Sequence, residues 1–202
     1  MAEVVTTARE AFERYEAFYA GDRLIQSNWH ETASDGRQLA CALGVLGDKV
    51  CDPDDCPGAI MPRWLAHMVP TFFDCQEFDD AKDWGKRFYA ALDRLNGIVP
   101  FSVVHDWCAS TVSVMGVDAA TMRGRNTAPH VALQAMHQRA LSGEKIGADE
   151  WRPILRNAAP YPYADAYTDA EAGAYASAYA DADGWKRRAD GMVDALNRAV
   201  AA

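Results

Sequence analysis

The stretch that decides the fold is Leu39–Leu46, which reads LACALGVL. It contains no charged side chain, although Arg37 and Asp48 stand just outside it. A helix that is apolar on all sides is buried on all sides. The sequence therefore predicts a helix over residues 39–46 at the centre of the core.

Segments with helical periodicity lie on both sides of this stretch. Residues 3–20 and 78–96 repeat apolar side chains at steps of three and four, as amphipathic helices do. Residues 101–123 hold several β-branched side chains, which also suit a strand. We predict a helix there, because no second segment is evident that would pair with a strand. Shorter helices are predicted from Pro62 to Pro70 and over residues 129–141 and 151–156.

The C-terminal stretch has a composition of its own. Residues 158–182 consist mainly of Ala, Tyr and Asp, and Thr168 and Glu171 have the spacing of a capping box at a helix start. Three tyrosines recur at multiples of four: Tyr167, Tyr175 and Tyr179. We predict that residues 160–202 form a helix or hairpin packed on the rest of the chain, with a tyrosine-lined binding groove as the alternative.

These patterns predict an all-α fold, with residues 1–202 forming a single-domain bundle of about seven or eight helices. No period of 20–50 residues repeats, which argues against a solenoid. No apolar run approaches the roughly 20 residues that cross a bilayer. The acidic residues near the start do not fit the basic start of a signal peptide. We therefore expect a cytoplasmic protein without a membrane partner.

The charge balance argues against nucleic acid as a partner. Twenty Lys and Arg against 29 Asp and Glu give a formal net charge of -9. A surface that binds phosphates needs clustered cations. The densest basic cluster, Lys186–Arg188, has only three members and lies between Asp183 and Asp190. A basic protein partner, or mimicry of nucleic acid by this acidic chain, remains an alternative.

The cysteines predict free thiols. There are five, an odd number, and they are predicted to be reduced. Cys51 and Cys56 flank the acidic loop CDPDDC, as one half of a zinc site would. The next candidate ligands are His67 and Cys75, and no second closely spaced pair completes the site. We therefore predict no metal ligands and no cofactor.

The sharpest enzymatic hypothesis rests on the dipeptide His105-Asp106. It resembles the paired ligands of the all-helical HD phosphohydrolases, in which an H…HD…D set holds a divalent metal that activates water. That resemblance implies His67 as the first ligand and Asp165 as the last, with Asp149 and Asp169 as further candidates for the last position. In this chain Trp107 and Cys108 follow the pair, where the family has an aliphatic residue and glycine.

Three other groups of polar side chains have ordinary structural explanations. Asp79, Asp80 and Asp83 fall in the first turns of a predicted helix, where acids complement the helix dipole. His130 and His137 share a helix face without an acidic neighbour, and we interpret them as surface or boundary residues. The trio Trp29–Glu31, with His30 at its centre, is interpreted as structural.

Two segments and the tail carry a broader resemblance. DGRQLACALGVLG and CPGAIMPRWLAHMVPTFFD, together with the tail ending in GWKRRADGMVDAL, resemble a group of uncharacterised phage and prophage proteins. The tail alone is similar to the Ala-rich repeats of bacterial immunity proteins, although tyrosines and aspartates interrupt its alanine runs. The resemblance implies a phage-encoded accessory protein and assigns no catalytic residue.

The prediction is therefore a non-enzymatic binding or accessory protein that acts through contacts with another protein or with itself. Its six Trp, eight Tyr and seven Phe supply enough aromatic side chains for both a core and a contact surface. The HD-type hydrolase and the acidic nucleic-acid mimic are the alternatives.

Overall fold

The computed structural model describes residues 3–158 and 182–201. The fold is all-α, as predicted, apart from one short β-ribbon in the described residues. The chain divides into two compact units: residues 1–100 with 182–202 form unit 1, and residues 101–181 form unit 2. None of the described helices is long and apolar enough to span a bilayer.

Unit 1 contains five of the described α-helices and the ribbon. The helices are α1 (Ala8–Ala20), α2 (Arg63–Ala66), α3 (Val69–Asp74), α4 (Phe78–Arg94) and α9 (Ala182–Arg198). Strands β1 (His30–Thr32) and β2 (Gln38–Ala40) pair antiparallel, with His30 opposite Ala40. Short 3-10 helices span Gly44–Leu46 and Pro53–Asp55.

Local capping places the start of α1. The Thr7 hydroxyl accepts a hydrogen bond from the Glu10 amide, and the Glu10 carboxylate accepts one from the Thr7 amide, which completes a capping box. The helix predicted over residues 3–20 therefore begins only at Ala8. Upstream of it, the Val5 amide donates to the carbonyl of Leu46, so that the N-terminal segment joins the central apolar stretch.

The core of unit 1 lies around α4, whose apolar stripe includes Trp84, Phe88 and Leu92, all fully buried. α1 and α9 pack against this helix. Gly85 permits the approach of α1, since a β-carbon there would lie 2.1 Å from the Tyr15 hydroxyl. Trp84 donates its indole hydrogen to the Ala189 carbonyl of α9 at 2.9 Å.

The apolar stretch Leu39–Leu46 is in the core but is not an α-helix. Ala40, Ala42, Leu43, Val45 and Leu46 are all buried, which confirms the predicted burial. The predicted helix over residues 39–46 is wrong. Backbone groups of this stretch bond to other segments instead: the Cys41 amide donates to Trp29, and the Ala40 carbonyl accepts from Ile25. The segment that pairs with it, β1, is short and polar.

Unit 2 contains the remaining described helices: α5 (Ser102–Trp107), a π-helical turn (Cys108–Val112), α6 (Ser113–Met122), α7 (Ala128–Leu141) and α8 (Ala148–Ala158). The predicted helices over residues 101–123, 129–141 and 151–156 are thereby confirmed to within a few residues. Of the predicted C-terminal helix or hairpin over residues 160–202, α9 is described. Thr168, Glu171 and the tyrosines at 167, 175 and 179 lie outside the described residues.

Candidate functional site

The candidate site lies in a helical hairpin of unit 2. We use "the hairpin" for residues 102–141, in which α5, the π-helical turn and α6 form one arm and α7 forms the other. Three contacts set the arms antiparallel: His105 with His137, Ala109 with Gln134, and Gly116 with His130. Gly116 lets the arms approach, because a β-carbon there would lie 2.6 Å from the His130 ring.

A pair of histidines lies between the two arms. The Nδ1 atoms of His105 and His137 are 3.0 Å apart, which is hydrogen-bonding distance. His137 is only 2% exposed, whereas His105 is half-buried. Burial lowers the pKa of His137 to about 4, and the neighbouring charge of His105 contributes to the same shift.

Aromatic rings enclose the histidine pair. The indole of Trp151, on α8, stacks on His105 with ring centroids 5.8 Å apart and meets His137 at 4.9 Å. Phe101 contacts the His105 ring edge-on at 5.5 Å. We refer to His105, His137 and Trp151 as the histidine cluster. It combines a titratable hydrogen bond with an apolar enclosure, a combination that shifts pKa values.

The π-helical turn lies directly beside the histidine cluster. A π turn widens the helix by one residue, and such turns occur frequently at functional sites. The Gln134 side chain of α7 donates to the Ala109 carbonyl at 2.8 Å. The widened turn therefore keeps a hydrogen-bond partner for its backbone and is fixed to the opposite arm.

The residues of the HD hypothesis serve separate contacts. His67, at the end of α2 in unit 1, lies 2.7 Å from the Asp54 carboxylate, which also pairs with Arg63. His105 belongs to the histidine cluster, Asp106 follows it on α5, and Asp165 lies outside the described residues. Among residues 3–158 and 182–201, no three His, Cys, Asp or Glu side chains group closely enough to hold a metal ion.

The other polar groups chosen from the sequence have local partners. In unit 1, Asp79 pairs with Lys82 at 2.9 Å and Asp80 pairs with Lys186 at 3.2 Å, while Asp83 accepts a hydrogen bond from Tyr19. His30, the centre of the Trp29–Glu31 trio, lies 3.0 Å from the Val50 carbonyl. These contacts are structural, as interpreted from the sequence.

The acidic loop between Cys51 and Cys56 is likewise organised by local contacts. Asp52 caps the short 3-10 helix through the Asp54 amide, and Asp55 accepts the Cys51 amide. All five cysteines carry free thiols. Burial raises the pKa of Cys56 to about 12, so its thiol stays protonated at neutral pH.

The interpretation of His137 as a surface or boundary residue is wrong. Leu133 lies one turn before it and Ala140 three residues after it on α7, both half-buried, and this spacing places His137 on the covered side of the helix. This apolar spacing is the sequence pattern from which the burial of His137 could have been predicted. The partner, His105, lies 32 residues earlier, and no local pattern connects the two.

No family model matches the chain, and no curated protein or solved structure shows significant similarity to it.

Proposed function

We propose that this chain is a non-enzymatic accessory protein that acts in the cytoplasm through protein–protein contacts, with the hairpin as its contact surface. The observation that carries the proposal is the apolar side chains that the hairpin leaves accessible near the turn between its arms. Met122 is 88% exposed and Val131 49%. Exposed large apolar side chains that lie close together are typical of interaction surfaces.

Helix α6 supports this assignment along its length. Val114, Met115 and Val117 are half-buried and point to different sides of the helix, so apolar area stays accessible around it. Methionine side chains are flexible and adapt to varied partner surfaces. A helix of this composition is stabilised when a further apolar surface covers it.

A second copy of the chain is the occupant that fits this surface. At the turn between the arms, Met122 and Val131 are exposed beside Asp118, Arg123 and Arg125, which are also exposed. Both signs of charge therefore accompany the exposed apolar side chains, which suits a self-complementary two-fold interface. Two hairpins packed in this way would form a four-helix bundle.

The charge distribution favours the same occupant. The described residues 101–158 contain six Lys and Arg against five Asp and Glu, so they are nearly neutral although the chain carries -9. The excess negative charge lies elsewhere in the sequence. Two hairpins therefore meet without a large repulsive charge between them.

Sedimentation velocity over a range of concentrations tests the proposal. We expect the wild-type protein to form a dimer and Met122→Glu to sediment as a monomer, since the substitution places a charge in the interface. Ile98→Glu is the matched control, because Ile98 is 58% exposed but lies in unit 1. A wild-type protein that remains monomeric at the highest concentration, or a control that dissociates equally, would contradict the proposed surface.

The accessory role and the cytoplasmic location have separate support. The resemblance of DGRQLACALGVLG and the Ala-rich tail to phage and prophage proteins supports a phage-encoded accessory role. An odd number of cysteines, all with free thiols, supports a reducing compartment. Protein denatured without reductant should therefore react at all five thiols. Recovery of one or three reactive thiols would contradict the location.

A further inference from the structure

The geometry of the histidine pair restricts its protonation. The two Nδ1 atoms face each other at 3.0 Å, so one hydrogen fits between them. In the neutral pair, one ring must be the Nδ1–H tautomer, which is the less common form of a free imidazole. The Nδ1 atom of the other ring accepts the hydrogen bond. The first added proton can bind to the Nε2 atom of the donating ring, and the hydrogen bond between the rings is then kept. A second would put hydrogens on both Nδ1 atoms and break the bond.

In the part of the chain that the structure describes, the side-chain contacts of His137 are with two rings. His137 contacts His105, which lies on α5, and the uncharged indole of Trp151, which lies on α8. The Gln134 amide, one turn earlier on α7, is engaged with the π-helical turn. The charged residues next to the cluster in sequence are Asp106 on α5, Arg139 on α7 and Glu150 on α8. Arg139 and Glu150 pair with each other at 3.0 Å.

The histidine cluster is part of the packing of helix α8. This helix has 11 residues and contains Pro153, which removes one backbone donor from the helix interior. Its attachment to α7 combines the Trp151 stacking with the Arg139–Glu150 ion pair, whose side chains are well exposed. Exposed ion pairs contribute little, so the attachment depends mainly on the apolar face of α8, where Trp151, Ile154 and Leu155 are half-buried and Ala158 is buried. The stacking of Trp151 on the imidazoles is the part of this face that depends on protonation.

We propose that His105 and His137 form a proton-binding site that couples acidification to the release of α8 from the hairpin. The second proton separates the two rings, and the surface on which Trp151 stacks is lost. The step transfers one proton from solvent to His137 Nδ1 and breaks one hydrogen bond. It does not require a second copy of the chain.

The direction of the pH effect follows from linkage. The pKa of His137 is about 4 in the packed state, against its usual 6.5, so the released state binds the proton more tightly. Release is therefore independent of pH above about 6.5 and is favoured increasingly as the pH falls toward 4. A shift of this size increases the equilibrium constant for release by up to about 300-fold.

Amide hydrogen exchange of α8, corrected for the intrinsic pH dependence of exchange, tests the coupling. Between pH 7 and pH 4 we expect the protection of α8 to fall by about 100-fold, because the packed state is itself half protonated at pH 4. His137→Gln, which cannot titrate, should show no such fall. Two controls should retain it: His67→Gln removes a histidine of unit 1, and Glu150→Gln removes the carboxylate of the ion pair.

Some outcomes would overturn the proposal. An equal fall of protection in His137→Gln would show that another group is responsible, and loss of the effect in Glu150→Gln would assign it to the ion pair. Repeating the exchange in the Met122→Glu background separates release of α8 from dissociation of a dimer. If the fall occurred only in protein that dimerises, the histidine pair would not be its cause.

Nitrogen NMR of the wild-type rings tests the pair without any substitution. At pH 7.5 we expect one of the two histidines to be the Nδ1–H tautomer, with a scalar coupling across the Nδ1–H···Nδ1 hydrogen bond. Two Nε2–H tautomers without that coupling would exclude the pair, whatever the exchange data show.

Discussion

Units 1 and 2 fix the polar atoms of their interiors in different ways. In unit 1 the hydroxyls of Tyr15 and Tyr89 and the indole of Trp84 each donate to a backbone carbonyl. Burial raises the pKa of both tyrosines, so these donors keep their hydrogens at any ordinary pH. In unit 2 the interior hydrogen bond joins His105 to His137 and depends on protonation. These three hydrogen bonds of unit 1 are therefore insensitive to pH, whereas the histidine bond of unit 2 responds to it.

The two units also differ in the size of their apolar interiors. Among the largest fully buried side chains in the described chain, Trp107 is the one member from unit 2. The others, such as Phe88, Leu43 and Leu92, belong to unit 1. Buried apolar area is the main source of folding free energy. We therefore expect unit 1 to be the more stable of the two.

The largest expected difference in stability comes from replacing one leucine with aspartate in each unit. Leu43→Asp should unfold unit 1, because it leaves an unpaired carboxylate in the core at a cost of more than about 4 kcal/mol. Leu141→Asp, in unit 2, should leave the fold intact because this side chain is 40% exposed. Circular dichroism with urea titration measures both. A folded Leu43→Asp protein with the wild-type midpoint would refute the central position of residues 39–46.

The next largest effect concerns the fixed hydrogen bonds of unit 1. Tyr89→Phe removes the donor to the Ala42 carbonyl, which is buried, and should lower the free energy of unfolding by about 1–3 kcal/mol. Tyr19→Phe removes an exposed hydrogen bond to Asp83 and should cost less than about 1 kcal/mol. Urea denaturation compares the two. Equal costs would show that burial does not set the value of these hydroxyls.

A smaller effect is expected at the π-helical turn of unit 2. Gln134→Ala leaves the Ala109 carbonyl without its side-chain donor and should cost about 1 kcal/mol. Faster amide exchange of residues 108–113 should accompany the loss. Gln138→Ala, one turn further along α7 and exposed, is the control. If both variants exchange alike, the turn does not depend on Gln134.

The smallest effect should come from the surface of unit 1. Asp190 of α9 pairs with Arg87 of α4 and with Lys186 of its own helix, so the ion pair with Arg87 links α4 to α9. Asp190→Asn should cost no more than about 1 kcal/mol, because these side chains are partly exposed and solvent screens them. The difference from wild type should shrink further at high salt. A larger cost that is insensitive to salt would show that packing, and not charge, holds α9.

The sequence was sufficient to predict a helix where the segment has one clear apolar face. The stripe of Ala81, Trp84 and Phe88 predicts α4 and its buried side, because an amphipathic helix has a single period. Leu39–Leu46 has no polar face to set a period, so its burial was predictable and its conformation was not. The same apolar composition is compatible with a buried strand followed by a 3-10 turn. The partner strand, His30–Thr32, is too short and polar to be recognised.

The histidine cluster shows a second limit. His105 and Trp151 lie on helices that the sequence predicts, but their meeting with His137 depends on the register between the arms of the hairpin. That register follows from contacts such as that of Gly116 with His130, which join residues far apart in sequence. Periodicity describes one segment at a time and cannot supply it. The exposed Met122 was equally unpredictable, because its exposure depends on what packs around it.

The return of α9 to unit 1 has a consequence for biosynthesis. The indole of Trp84 donates to Ala189, and these two residues are separated by 105 positions of chain. A ribosome releases the segments of unit 2 before it has made α9. Until then the stripe of α4 that α9 will cover remains accessible to solvent, chaperones and proteases. The first hundred residues therefore cannot complete their core during translation, and a nascent chain arrested before residue 182 should be cleaved in unit 1 far more readily than the finished protein.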